Sequence, residues 1–249
     1  MAPSPWSPPG LTQFAALGLR FSTRGAALEQ EQVTWSPCYR VIASEYSGEN
    51  LFERLTDGIA YKKLQDEVDA LREIADLTNT YVLHEAGQFD LVRPDDRIYG
   101  RGAGLIMAAF AFPGRPSRFS DGSAGTYYAA ENLETAVAET RYHEEAALRG
   151  SGPCVTEKTV IHAELNATLV DLRRGHASPS GVYDVDDYGT GQAFGSMVRQ
   201  LDGYGIVYDA VRHPGGECVA IFRPPVLHAA KAVQTLLFHW DGRQVFAVR

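Results

Sequence analysis

The run RFSDGSAGTYYAAENLETAVAETRYH, from Arg118 to His143, constrains the fold more than any other stretch, because it sets a turn, a strand and a helix in fixed order. Arg118-Phe119-Ser120 leads into Asp121-Gly122-Ser123-Ala124-Gly125, a turn whose two glycines allow positive φ and close backbone approach. Thr126-Tyr127-Tyr128-Ala129-Ala130 then reads as a short strand. Asn132 is placed to cap a helix, Glu134 sits in its positively polarised first turn, and Leu133, Ala136, Val137 and Thr140 form the helical stripe. Glu139 falls beside that stripe rather than on the far, solvated face. A strand and a helix packed together would bring Arg118, Tyr128 and Glu139 to one cleft.

Such a cleft suits a nucleotide with a labile glycosidic bond. A guanidinium is a planar fork matched to phosphate oxygens. A glutamate near a sugar can hold a ribose hydroxyl and stabilise positive charge developing at the anomeric carbon. A tyrosine supplies a ring to stack on and a hydroxyl to donate. The same three residues also read as a surface arginine, a core tyrosine and a solvated glutamate.

The 249 residues suffice for one large domain or two small ones. With 45% hydrophobic and 22% charged residues the composition is that of a soluble globular protein, and a net charge of −8 argues against a nucleic-acid surface spread over the whole chain. Cys38, Cys154 and Cys218 stand far apart without a CxxC pair, so neither a disulfide framework nor a zinc site is indicated. Three buried structural thiols in a reducing cytoplasm are expected. The apolar run from Gly104 to Phe112 is too short to span a bilayer. Residues 1–10 are rich in Pro and Ser and are expected to be disordered, and the apolar LTQFAALGL after them lacks the basic flank of a secretory signal and reads as a short docking helix.

Val33 to Ser44 reads as extended, carrying Trp35, Tyr39, Val41 and Ile42, with Arg40 inside the apolar run. That arginine needs a carboxylate or phosphate partner, or must snorkel to water. Residues 50–78 carry an amphipathic helical pattern with Leu64, Val68, Leu71 and Ala75 on one face. The glycines at 100, 102 and 104 miss the G-x-G-x-x-G fingerprint, and a flexible turn near a cleft mouth is expected there. Residues 159–165 and 167–172 look like two strands, and a helix is expected from about Gly191 to Leu201. Two strands flank Pro214-Gly215-Gly216, and a final hairpin turns at Asp241-Gly242. No G-x-S-x-G elbow, HExxH pair or complete EF-hand loop is present. His143, one helical turn after Glu139, could orient that carboxylate, but reads more readily as a helix-end histidine interacting with the dipole.

Taken together, Tyr39-Arg40, Arg118-Phe119-Ser120, Gly125 to Ala130 and Thr135 to Thr140 resemble the RES-domain family, the toxins of bacterial RES–Xre toxin–antitoxin modules. Gly205-Ile206-Val207-Tyr208 and Gly215 to Ala220 support the likeness, which spans about residues 33–248. It implies an α+β fold similar to ADP-ribosyltransferases: a mixed β-sheet core framed by helices, in one domain over 33–249. A helical insertion at about 50–95 and an N-terminal segment over 1–32 complete the expected layout. It implies degradation of NAD+ by phosphorolysis or hydrolysis, with NAD+ as substrate, inorganic phosphate as a co-substrate of the first route, and no metal. By position, the resemblance makes Arg40, Arg118, Tyr128 and Glu139 catalytic; Tyr39, Ser120, Tyr127, Asp209, Ala210 and Arg212 are expected as substrate contacts beside them. The two arginines would hold pyrophosphate or incoming phosphate. Ala210 stands where the family has a serine, which leaves open a mono-ADP-ribosyltransferase or a catalytically weakened relative that binds NAD+ or antitoxin. The implied partner is an Xre-type helix-turn-helix antitoxin; direct nucleic-acid or membrane contact is not expected, and a homodimer is compatible with the sequence.

Overall fold

The computed structural model describes residues 28–44, 91–111, 116–173, 179 and 181–248. The expected docking helix, the amphipathic helix at 50–78 and most of the insertion lie outside them. Strand β1 (Gln30–Ala43) is followed by a 3-10 turn at Pro94–Asp96, helix α1 (Ala103–Ala111) and strand β2 (Tyr127–Ala130). Helix α2 (Leu133–Leu148), β3 (Cys154–Asp171), α3 (Gly189–Gln200), β4 (Gly205–Asp209) and β5 (Glu217–Ile221) come next, then β6 (Leu227–Trp240) and β7 (Val245–Val248).

The fold is of mixed α+β type. Seven strands form one sheet in the order β1-β2-β5-β4-β3-β6-β7, and an additional β1–β3 pairing closes the first five into a ring. Among the described strands only β3 and β4 run parallel, meeting at Val170–Ile206 and Asp171–Val207. The sequence suggested two strands across 159–172; they are one 18-residue strand, long enough to hold β1 along one edge and both β6 and β4 along the other. Alternation explains how a single strand serves two cores. Ile161, Ala163, Leu165, Ala167 and Leu169 face a first cluster with Ile106, Met107 and Phe110 of α1. Val160, Val170 and Leu172 face a second cluster with Phe194 and Val198 of α3 and Ala136 of α2.

One irregularity decides a great deal. In β1, Trp35 pairs with Leu165 but Cys38 pairs with Ala163, so a bulge inserts one extra residue between them. Before the bulge Val33 and Trp35 face the first cluster; after it Cys38 and Ile42 do, while Tyr39 and Val41 face the second. The parity of the strand is switched.

Two smaller expectations change. Cys38 and Cys218 are buried as anticipated, but Cys154, at the start of β3, is exposed. His143 lies inside α2, which continues to Leu148, and is not a helix-end residue. Among the described residues no helix is long and apolar enough to cross a membrane.

Candidate functional site

The site is built on the second-cluster face, where α2 and α3 approach β2 and the end of β4. Asn132 caps α2 by accepting a hydrogen bond from Thr135 N at 2.8 Å, which fixes the helix start and hence the phase of its side chains. From that phase Glu139 reaches the loop beyond β4. Its Oε1 accepts from the backbone N–H of Val211 at 2.9 Å and of Arg212 at 3.0 Å. Among the described residues Oε2 has no hydrogen-bond partner. The carboxylate is therefore clamped on one oxygen and available on the other.

Arg118 is 8% exposed, and no carboxylate among the described residues lies within ion-pair distance of it. Its Nη1 donates to Val182 O at 3.0 Å and Asp184 O at 2.7 Å, and its guanidinium lies 4.8 Å from the centre of the Tyr188 ring. The Asp184 carboxylate is turned away, accepting from the amides of Asp186 and Asp187. The backbone of Arg118 and Phe119 is seated on α3 so closely that a Cβ at Gly191 or Gly195 would collide with their carbonyl oxygens. Glycine at those two helix positions is thus a condition of placing Arg118 here.

Tyr128 links these parts. Its hydroxyl accepts from Phe119 N at 3.0 Å and shares a proton with Ser117 Oγ at 2.8 Å. Burial pushes its pKa up, opposed by those two bonds and by the charges of Arg199 and Arg118. Arg199, on α3, donates to Phe119 O and Thr126 Oγ1 and stacks on Phe222, pinning the turn that carries Arg118. Burial lowers its pKa to about 10.

Arg212 follows Ala210 and Val211 after the end of β4, beside Glu139. Its guanidinium stacks on Tyr142 at 3.3 Å and donates to Val185 O, while the Tyr142 hydroxyl donates to Asp186. His143 lies in the same electrostatic neighbourhood. Burial lowers its pKa, the Glu139 charge acts to raise it, and Arg212 and Arg118 act to lower it.

The structure brings Arg118, Tyr128, Glu139 and Arg212 to one face, with Ala210 and Asp209 at the adjoining strand end. Ala210 is 9% exposed and donates its N–H to Gly216 O. The Asp209 N–H donates to the Tyr183 hydroxyl. Ser120 is close by in sequence, but its hydroxyl donates to Ala124 O at 2.7 Å and accepts from Gly122 N, so it serves the turn. Tyr39 is on the same face, edge-on to the His162 ring at 4.7 Å.

Arg40 and Tyr127 are not brought there. The β1 bulge turns Arg40 to the first-cluster face, where it lies 4.6 Å over the Tyr127 ring and donates to the backbone carbonyl of Tyr128 at 3.0 Å. Burial lowers its pKa. Tyr127 is fully buried beneath it, with a hydroxyl that has no hydrogen-bond partner among the described residues. The expectation of two arginines meeting one anion is corrected accordingly: Arg40 would have to give up both contacts to reach Glu139's side of β2.

Tyr142, Arg199 and His213 adjoin the site but carried no sequence motif, and Thr135, though it opens the 135–140 motif, is assigned no role of its own by it. Thr135, Glu139 and Tyr142 are spaced i, i+4, i+7, so their shared helix face was a usable signal.

The RES-domain family model matches residues 94–241, more than half of the chain. No curated protein matches. Among solved structures, the M. tuberculosis MbcT–MbcA toxin–antitoxin complex is similar at 12% identity, covering 82% of this chain and 87% of that chain, with a TM-score of 0.38.

Proposed function

The chain belongs to the RES-domain family, and from that membership and the geometry of the cleft we propose that it is the toxin of a toxin–antitoxin pair that breaks the nicotinamide–ribose bond of NAD+. The observation that carries this reading is a buried guanidinium with no carboxylate partner among the described residues, Arg118, on the same face as a carboxylate held by two amides, Glu139. A buried unpaired cation is costly unless a bound anion completes it.

In the proposed reaction Arg118 and Arg212 hold the pyrophosphate. Tyr128 packs beside the nicotinamide ribose. Glu139 binds a ribose hydroxyl and stabilises the positive charge that develops at the anomeric carbon as the bond lengthens. The C–N bond breaks with both electrons going to nicotinamide, which cancels its pyridinium charge. An oxygen of water or of inorganic phosphate bonds to the anomeric carbon; water yields ADP-ribose and one proton, phosphate yields ADP-ribose 1″-phosphate.

The test incubates purified protein with NAD+, with and without phosphate, and follows nicotinamide. Release in either case supports the reading, and phosphate dependence selects the route. Intact NAD+ in both, with folded protein, overturns it. Biotinylated NAD+ in cell lysate separates transfer from cleavage, because only transfer labels a polypeptide. The buried methyl of Ala210 favours one second reading, a weakened relative that binds NAD+ without turnover; calorimetry showing binding with no nicotinamide release would select it. The proposed partner is a helix-turn-helix antitoxin that covers the cleft, tested by whether its co-expression restores growth.

A further inference from the structure

The loop between β4 and β5 is gripped twice by one face of α2, and the second grip has no place in the reaction as written above. Thr135, one turn before Glu139, is fully buried, and its hydroxyl lies 2.8 Å from Nδ1 of His213. Whichever of the two supplies the proton, the bond ties the far arm of the loop to the helix that carries the carboxylate. The loop is tied within itself as well: Gly216 N donates to His213 O at 3.0 Å, and Ala210 N donates to Gly216 O at 2.8 Å. Gly216 is packed so tightly on Thr135 Oγ1 that a Cβ there would collide with it. The amides of Val211 and Arg212 lie inside this tied segment, and they are the two donors that fix Glu139 Oε1.

The geometry follows from helix spacing. Thr135 and Glu139 project from the same face of α2. Their two grips meet the loop on either side of Arg212, so the segment 211–213 cannot shift along the helix without breaking both. A carboxylate that must meet charge developing at a sugar carbon is effective only if its position is set beforehand, since reorganisation during the reaction cancels the gain. The loop supplies that setting, and the Thr135–His213 bond supplies the loop.

We infer that Thr135 and His213 are positioning residues for Glu139: their hydrogen bond holds the 211–212 amides where they fix the carboxylate. The inference rests on the reading of the cleft as the NAD+ site. It predicts that the bond matters to the chemical step and not to substrate capture, because neither side chain takes the place of Arg118 at the phosphates.

The test uses the full chain with Thr135→Val, which keeps the shape and removes the hydroxyl, and Thr135→Ser, which keeps the hydroxyl. Two quantities are read: hydrogen exchange at the Val211 and Arg212 amides, and kcat and KM for NAD+. In Thr135→Val the two amides are expected to exchange roughly two- to tenfold faster, the size of one lost hydrogen bond. The kcat should fall by a comparable factor with KM unchanged, and Thr135→Ser should restore both. His213→Ala, at a partly exposed loop position that the core does not need, should reproduce the Val variant, and the double change should add little to either single one. Unchanged exchange in both Thr135→Val and His213→Ala overturns the inference. So does faster exchange with parental kcat, since the bond would then hold the loop without setting the carboxylate. If the parent itself releases no nicotinamide, the reading of the cleft fails, while the exchange measurement still decides whether the bond holds those amides.

Discussion

Two groups of arginines in this molecule are treated in opposite ways. At the corner where the 3-10 turn meets the loop after α3, Asp96 is 5% exposed and accepts from Arg223 through both oxygens, while Arg93 bonds Asp96 and Asp202. The guanidinium groups of both Arg93 and Arg223 end on carboxylates. Around Arg118 to Tyr128 four arginines, Arg40, Arg118, Arg199 and Arg212, bond carbonyls and stack on aromatic rings, and none has a carboxylate within ion-pair distance among the described residues. The corner neutralises itself and needs nothing more. Around Glu139 the guanidinium groups are left without direct ion pairs among the described residues, Arg40 and Arg199 holding the Arg118–Tyr128 segment from behind and Arg118 and Arg212 lying on the Glu139 side. Arginine at the corner is neutralised by direct ion pairs, whereas the arginines near Glu139 end on carbonyls and rings, which is the arrangement the proposed NAD+ site requires.

The sharpest way to break that comparison is Glu139→Ala. Nicotinamide release should fall by roughly 10²–10³, the usual cost of removing one preorganised group that meets developing charge. Because the structure gives Glu139 two backbone donors, some stability should be lost too, about 1 kcal/mol read as a thermal shift. Parental turnover would remove Glu139 from the reaction. At the paired corner, Asp96→Asn should lower stability by about 2–3 kcal/mol in denaturant titration, while kcat and KM per folded molecule stay unchanged. Loss of activity beyond the loss of folded protein would erase the distinction between the two groups.

The same corner sharpens the comparison through pH. Burial acts to raise the Asp96 pKa, but hydrogen bonds from Arg223 and Arg93, with their charges, hold it below the ordinary carboxylate range. A carboxyl depressed in the folded state contributes stability that is complete above its unfolded pKa and is lost as pH falls through the folded one. Parental protein should therefore lose stability more steeply below about pH 4 than Asp96→Asn, measured as the acid limb of thermal midpoints.

Arg118→Lys keeps the charge and loses the fork, and should raise KM for NAD+ roughly tenfold with little change in kcat. The smallest effect is expected from Ala210→Ser, which restores the family's hydroxyl. It should raise turnover a few-fold, the worth of about one hydrogen bond. No gain would mean that the serine's role has passed elsewhere in this chain.

Much of the local architecture was legible beforehand, because each signal is local. Asn132 caps α2 as its position three residues before Thr135 requires. The Asp241-Gly242 turn forms with Asp241 accepting from the amides of Arg243 and Gln244, which is ordinary Asx-turn chemistry. Pro214-Gly215-Gly216 separates β4 from β5 as expected. The site was half legible. Glu139 and Tyr128 could be placed on facing elements from periodicity, but the donors to Glu139 lie 72 and 73 residues away and carry no side-chain signature, since they are backbone amides.

Arg40 shows most clearly where sequence stops. Its apolar neighbours announce a strand, and they do form one. Which face of that strand meets Glu139 depends on a single extra residue between Trp35 and Cys38, visible only in the register with β3. The amino-acid sequence by itself determined the elements, their order and the residue types available for chemistry, because helix phase, capping and turn formation are settled within a few residues. Tertiary structure alone decided the closure of the ring, the side on which each arginine emerges and the clamp on Glu139. Those depend on contacts between residues far apart in the chain, 64 apart for Arg118 and Val182, 72 for Glu139 and Val211 and more than a hundred for β1 and β3, and a one-residue slip in strand register reverses a face.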